Sequence, residues 1–437
     1  MSDARRRPAR SLILGAGVTG LAAARATGFP VFEASDAPGG ICRSYYVRPG
    51  TRARLNRAPA GGNAYRFEFG GGHWIFGGDA RVLEFIESLT PVRRYGRRSS
   101  VYFPAEKRYV PYPIQNNLRR LGAARARTIL RELSGPRRTR RVRTLRQWLG
   151  AHFGPTLCRL FFHPFNRLYT AGLDRAVAPQ DAYKSPVDLA AIRAGARGEP
   201  PAAGYNVTYL YPRKGLDVLA RRLAAPCEVR YGKRAVRIDA RAKLVRFSDG
   251  SRVAYDSLLS TLPLNRLVEL TGVKLSTRPD PFTSVLVLNV GAVRGPNCPE
   301  DHWLYLPGTR SGFHRVGFYH NVDRSFLPRG RAGEGRASLY VERAYANGEK
   351  PSRAAADRFV REALRELKDW GFIGEVEAAD ATWIDVAYTW EFPGSRWKEE
   401  AIGKLDALGI HSIGRYGRWT FQGIAESMKE GLSAGRA

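Results

Sequence analysis

The sequence predicts an α/β protein: a Rossmann-type dinucleotide-binding domain joined to a mixed part made of helices and an antiparallel sheet. Three observations lead there. A short apolar run, Ser11–Leu14, enters Gly15-Ala16-Gly17-Val18-Thr19-Gly20 and then a helix-like Leu21–Ala26, the strand, glycine loop and helix that a dinucleotide fingerprint requires. A second short strand, Pro30–Phe32, ends at Glu33, 18 residues after Gly15. The chain has 437 residues, enough for two or three domains at roughly 150 residues each.

Each element of the fingerprint has a physical task. Gly15 permits the tight turn, Gly17 lets backbone approach a pyrophosphate, and Gly20 lets the helix pack on the strand. The helix N-terminus then presents free N–H groups to the phosphates. Glu33 stands near the position of the acid that binds an adenosine ribose. Next comes a second glycine pair, Gly39-Gly40, with Arg43 just after it as a cation for the pyrophosphate. The structural alternative is a glycine-rich turn with an unrelated Glu and one more surface Arg.

Composition excludes several classes. Apolar residues at 43% rule out a disordered basic protein, which lacks the content to fold. Cys42, Cys158, Cys227 and Cys298 form no CxxC pair and the seven His no HExxH spacing, so neither a disulfide scaffold nor a metal site is expected. No apolar stretch reaches the roughly 20 residues of a membrane span, and the basic N-terminus lacks a long h-region. A soluble, cytoplasmic protein is expected. The net charge of +31 raises a nucleic-acid or phospholipid-surface binder. Its basic clusters, Arg5–Arg7, Arg93–Arg98, Arg119–Arg120 and Arg137–Arg146, carry no nucleic-acid motif. Solvated Arg-rich faces, or a cationic cleft for a phosphorylated substrate, explain the charge without a nucleic-acid partner.

Further along, Phe67–Phe76 places His73 after Gly70-Gly71-Gly72, and Tyr211–Leu219 holds Lys214-Gly215. Val245–Gly250 reads as a strand ending in an Asp-Gly turn, and Tyr255–Leu264 as a buried strand with a Pro stop. Ile410–Trp419, containing Gly414 and Arg415, precedes a helix at Ile424–Leu432. Asn116–Glu132 and Leu145–Phe153 read as helices, and Thr283–Val290 alternates as a strand does.

The extended glycine signature through Arg43, with these later segments in order, resembles the FAD-dependent amine oxidase and protoporphyrinogen oxidase-like superfamily. Within it, Val110-Pro111-Tyr112-Pro113-Ile114-Gln115-Asn116-Asn117, the Gly70–Phe76 loop and Trp303–Pro307 followed by Phe313-His314-Arg315 resemble UDP-galactopyranose mutases. The resemblance implies a discontinuous FAD-binding domain (1–85, 205–275 and 400–437), a helical substrate-domain part (86–204) and a sheet part (276–399). It implies FAD held by Gly15, Gly17, Gly20, Glu33, Gly39, Gly40, Arg43, Gly72, His73, Gly414 and Arg415. A nucleotide sugar would meet Tyr112, Gln115, Asn116, Asn166, Tyr305, Arg315, Tyr388 and Arg415.

The implied chemistry is pyranose–furanose interconversion. Reduced flavin N5 attacks the anomeric carbon, Arg315 and Arg415 stabilise the departing diphosphate, and His73 sets the flavin geometry. NAD(P)H is a candidate reductant. The sequence also departs from the mutase pattern. Phe421 stands where a Tyr is usual, Gln422–Glu426 replaces an acidic stretch, and Thr170 replaces a Trp although Tyr169 is adjacent. The alternative is an oxidoreductase passing hydride from substrate to flavin N5, with Trp390, Phe392 and Phe421 lining an apolar pocket.

Overall fold

Leu12, Ile13 and Leu14 are at most 2% exposed, as expected of a parallel strand covered on both faces. In this computed structural model, which describes residues 10–135, 142–180, 187–198 and 207–436, they sit in the middle of a five-stranded parallel sheet. The basic clusters at Arg5–Arg7 and Arg137–Arg141 lie outside the described residues. The strand order is Val229–Arg230, Val31–Phe32, Ser11–Leu14, Ser257–Ser260, Ile410–Ser412. Strands from all three segments assigned to cofactor binding therefore meet in one sheet.

The two faces of Ser11–Leu14 enter different cores. Ile13 packs with Leu21 and Ala22 of the helix Val18–Thr27. Leu12 and Leu14 pack with Ile238, Val245 and Phe247 of a three-stranded antiparallel sheet. Within that sheet Leu244–Phe247 ends in the expected Asp-Gly turn, with Gly250 at φ +82°. The helix Ile424–Ser433 lies on Val18–Thr27 so closely that a Cβ on Gly431 would sit 2.3 Å from the Thr19 carbonyl oxygen.

A seven-stranded sheet forms the second part, in the order Ile373–Thr389, Phe282–Arg294, Arg336–Ala346, Arg315–Phe318, Trp303–Tyr305, Ser99–Phe103, Arg108–Pro111. Its neighbours are antiparallel except Trp303–Tyr305 and Ser99–Phe103, which run parallel. Residues 86–204 are thus not helical throughout. They supply two strands here, and a third, Val92–Gly96, pairs with Thr208–Pro212. The dense arginines of this region hid the strand periodicity.

The alternation at Thr283–Val290 does not separate a wet face from a dry one. Val285 and Val287 join the core of Tyr65 and Phe67, while Leu286, Leu288 and Val290 pack on Phe359, Ala363 and Leu367 of the helix Arg353–Asp369. The buried polar groups between them are partnered. Asn289 donates to the Tyr45 hydroxyl at 2.9 Å and accepts from Tyr319 at 2.9 Å. The helix expected at Asn116–Glu132 breaks at Gly122 (φ +96°) into a 3-10 stretch, Ile114–Leu121, and an α-helix, Ala123–Ser134. The next helix, Leu145–Leu157, opens on a capping box between Thr144 and Gln147. No described helix is long and apolar enough to cross a membrane.

Candidate active site

The glycine loop is shaped by two close approaches and one opening. A Cβ on Gly15, at φ +98°, would lie 2.3 Å from the Thr261 hydroxyl oxygen, and one on Gly20 would lie 2.0 Å from the Gly15 carbonyl oxygen. A Cβ on Gly17 would meet nothing within 4 Å. The helix starting at Val18 has no side-chain cap and no acid in its first turn, which leaves its amide donors and positive end for an anion. Glu33 braces the loop, accepting from the Ala16 amide at 2.7 Å and the Ser35 amide at 2.8 Å. The second glycine pair abuts the first: the Gly39 amide donates to the Ala16 carbonyl at 2.8 Å, and a Cβ on Gly40 would lie 3.5 Å from Gly17 Cα. Arg43 stacks 4.5 Å over Phe69, with a terminal nitrogen 3.4 Å from Asp36. An open Gly17 face, an uncapped helix start and a carboxylate at the strand end fit a dinucleotide.

The glycine loop Gly70–Gly72 follows the strand Tyr65–Glu68. A Cβ on Gly72 would fall 2.1 Å from the Tyr340 hydroxyl, so only glycine lets this backbone pass the ring. His73 follows, with Nδ1 3.4 Å from the Gly71 carbonyl. Burial, reinforced by the positive charge of Arg415, lowers its pKa to about 4, so the imidazole is neutral at pH 7.

Strand register places Arg315 opposite Tyr305 on one side and Glu342 on the other. Glu342 accepts from Arg315 Nε at 2.9 Å and from one terminal nitrogen at 2.6 and 2.5 Å. That same nitrogen lies 3.4 Å from the Tyr388 hydroxyl. Burial pushes the Glu342 carboxyl upward, but Arg315 and His314 together outweigh it and hold the group below its usual range. Arg415 is held differently, donating to the Gln422 carbonyl at 3.1 Å and the Ala387 carbonyl at 2.9 Å. Its guanidinium lies 5.4 Å from the Tyr388 ring and 4.6 Å from Phe421. Among the described residues no carboxylate pairs with it.

Aromatic contacts complete the wall. Tyr305 lies 4.7 Å from Tyr112 and 5.5 Å from Phe165, and Tyr169 lies 4.8 Å from Tyr388. The structure thus groups His73, Arg315, Arg415, Tyr305, Tyr388 and Tyr112. Three other expected residues make local contacts. Gln115 and Asn116 are 0% and 2% exposed in an apolar core. There a Cβ on Gly195 would come 1.8 Å from the Asn116 carbonyl, so the helix Leu189–Arg197 covers them. Asn166 donates to the Phe162 carbonyl one turn back at 2.7 Å. Trp390, Phe392 and Phe421 do not form one apolar pocket: Phe421 lies against Arg415, Phe392 against Arg278 at 4.5 Å, and Trp390 is buried against Tyr169.

Sequence reading missed Glu342, Tyr340 and a buried charged group behind the glycine loop. Glu68, fully buried, accepts from Tyr211 and from the Ser44 hydroxyl at 2.9 Å. Burial lifts its pKa to about 7 against the pull of Arg66, which is itself 2% exposed and lies 4.0 Å over Phe326. The available signal for Glu342 was a lone acid in an otherwise apolar run, Leu339-Tyr340-Val341.

A glycine loop at the carboxyl end of the central parallel strand, a second glycine pair against it and a cationic aromatic pocket define a dinucleotide-dependent flavoprotein. The profile of the family described as flavin containing amine oxidoreductase matches residues 18–397, and the chain belongs to this family. It is a FAD-dependent enzyme. A solved reduced UDP-galactopyranose mutase is similar with a TM-score of 0.84 at 24% identity, over 98% of this chain and 93% of that one. A fatty acid isomerase from P. acnes gives 0.57 at 14% identity over 98% and 97%. A putrescine oxidase variant redesigned at its cofactor site gives 0.56 at 14% over 98% and 98%. The chain shares its fold with that solved mutase.

Proposed function

We propose that this enzyme acts on a nucleoside-diphosphate sugar at its anomeric carbon, interconverting pyranose and furanose forms or performing related chemistry there. The observation that carries this reading is Arg415, a cation with no carboxylate partner among the described residues, joined through Tyr388 to Arg315 beside His73. Bound FAD supplies flavin chemistry at the substrate carbon, nucleophilic when reduced and hydride-accepting when oxidised. The chain supplies position and charge. Arg415 offsets the charge developing on the leaving diphosphate. Glu342 fixes Arg315 through Nε and one terminal nitrogen, and the other terminal nitrogen makes none of these bonds and is available to the phosphate. Tyr305 and Tyr112 offer ring faces for the nucleotide base. Neutral His73 orients groups near the flavin without adding charge.

The test is anaerobic incubation of dithionite-reduced holoenzyme with UDP-galactopyranose and related sugar nucleotides. A furanose product, lost in Arg415→Ala, is expected; no isomerisation with any nucleotide sugar rejects the reading. Flavin bleaching by NAD(P)H under the same conditions tests nicotinamide as reductant. A second reading, hydride transfer from substrate to oxidised flavin, is favoured by the apolar Phe421 against Arg415. Substrate-dependent bleaching with peroxide release on reoxidation would select it.

A further inference from the structure

A second cationic cavity lies outside the site described above. The strand Val92–Gly96 and the turn before the short 3-10 helix Arg324–Phe326 border an open pocket of about 430 Å³. This is within the roughly 300–1,000 Å³ of small-molecule sites. Arg93, Arg94, Arg98 and Arg324 line it. It shares no lining residue with the Arg315 and Arg415 cluster. An aromatic layer separates the two: Tyr95, on the cavity side, stacks on Tyr209 at 5.3 Å, and Tyr209 lies 5.4 Å from Trp74, the neighbour of His73.

The lining of this cavity carries an excess of positive charge, four arginines against one acid. Arginines elsewhere in the chain, such as Arg294, Arg310 and Arg336, sit in ion pairs with carboxylates. Among the described residues none of the four cavity arginines does. Asp323 is the acid in the lining; it accepts from the Ser325 amide at 2.8 Å and the Tyr95 hydroxyl at 3.3 Å and offsets part of the positive charge without pairing with any of the four arginines. Arg98 is oriented by neutral partners instead: its Nε lies 3.3 Å from His302 Nε2 and a terminal nitrogen 3.3 Å from the Asn321 carbonyl. His302 is itself fixed, 2% exposed with Nδ1 2.7 Å from the Tyr209 hydroxyl. Burial keeps its ring neutral, lowering its pKa to about 3, so it adds no charge beside Arg98. The arginines exceed the one acid of the lining, so an entering anion lowers their mutual repulsion, and guanidinium groups match phosphate oxygens in paired geometry.

We propose that this cavity is a binding site for a small molecule carrying two or more phosphate groups. One phosphate, at about −2, would leave part of the excess charge unmet. A pocket of about 430 Å³ suits a compact ligand. Its position behind Trp74 places such a ligand one aromatic layer from the His73 loop.

The test is calorimetric titration of the FAD-loaded enzyme with inorganic pyrophosphate and triphosphate at fixed ionic strength. Saturable binding is expected in the wild type and equally in Arg315→Ala, which separates it from the substrate pocket. The double variant Arg94→Glu/Arg324→Glu is expected to weaken it at least tenfold. Arg237→Glu, an exposed strand arginine elsewhere, is expected to leave it unchanged. If the double Glu variant does not fold, Arg94→Gln/Arg324→Gln is used with the same tenfold expectation. No saturable binding, loss of binding in Arg315→Ala, or equal weakening by Arg237→Glu overturns the proposal.

Discussion

Arg315 and Glu342 face each other across adjacent antiparallel strands, and the carboxylate takes the guanidinium through Nε at 2.9 Å and one terminal nitrogen at 2.5 and 2.6 Å. The arginine proposed to meet a diphosphate is thus already paired with a carboxylate of the protein. Glu342→Gln keeps the shape and removes the charge. The Arg315 side chain is a fifth exposed, so the expected loss of stability is about 2 kcal/mol, below the ~3–5 kcal/mol of a fully buried pair. The same change should tighten UDP binding several-fold, read as a shift in the flavin spectrum. Unchanged or weaker UDP binding would show that Arg315 does not face the diphosphate.

Gly17 and Gly20 should respond oppositely to alanine. At Gly20 the new methyl collides with backbone, and a loss of about 1–3 kcal/mol or more is expected. At Gly17 nothing stands in its way and the backbone is unstrained. Gly17→Ala should therefore melt like the wild-type apoprotein yet bind FAD at least tenfold more weakly. Equal FAD affinity would mean that the dinucleotide does not approach Gly17.

Glu68 makes stability depend on pH in a defined direction. Its folded pKa is about 7, raised by burial from a reference of 4.5. Between these values the folded state holds a proton that the unfolded chain releases. The contribution is complete below about pH 4.5 and lost as pH rises through 7. Glu68→Gln keeps the neutral form, so relative to wild type it should gain up to about 3 kcal/mol between pH 5 and pH 8. Buried His73, lowered to about 4, acts in the other sense, destabilising the fold as pH falls below 6.5, so the comparison must be variant against wild type at each pH. Parallel denaturant titrations at both pH values measure it, and a pH-independent difference rejects the assignment.

Phe421 lies against the Arg415 guanidinium at 4.6 Å and has no hydrogen bond to give. Phe421→Tyr adds a donor beside the proposed diphosphate position. UDP affinity should rise about fivefold, the ~1 kcal/mol of one added hydrogen bond. Titration by flavin absorbance gives the answer, and an unaltered affinity places the ring edge away from the phosphate.

The dinucleotide half was legible because its signals are local: Gly15, Gly20 and Glu33 act within one strand–loop–helix unit. The pocket was legible only in part. Arg315 and Arg415 are reached through the resemblance of their segments to the mutases, but Glu342 meets Arg315 through sheet register, which joins positions 27 residues apart. Gln115 and Asn116 carried a strong local pattern, yet the helix Leu189–Arg197 buries them, and no local spacing reports what packs on top. Arg66 and Glu68 alternate along Tyr65–Glu68 as a solvent-facing pair would. Burial of the whole strand turned them inward.

The central sheet has a consequence for biosynthesis. Ser11–Leu14 takes one neighbour from Ser257–Ser260, which in turn waits for Ile410–Ser412. A ribosome must therefore release the chain through Ser412 before the cradle around Gly17 has its supporting strands. Cofactor capture is then a late event, and products of premature termination emerge without it.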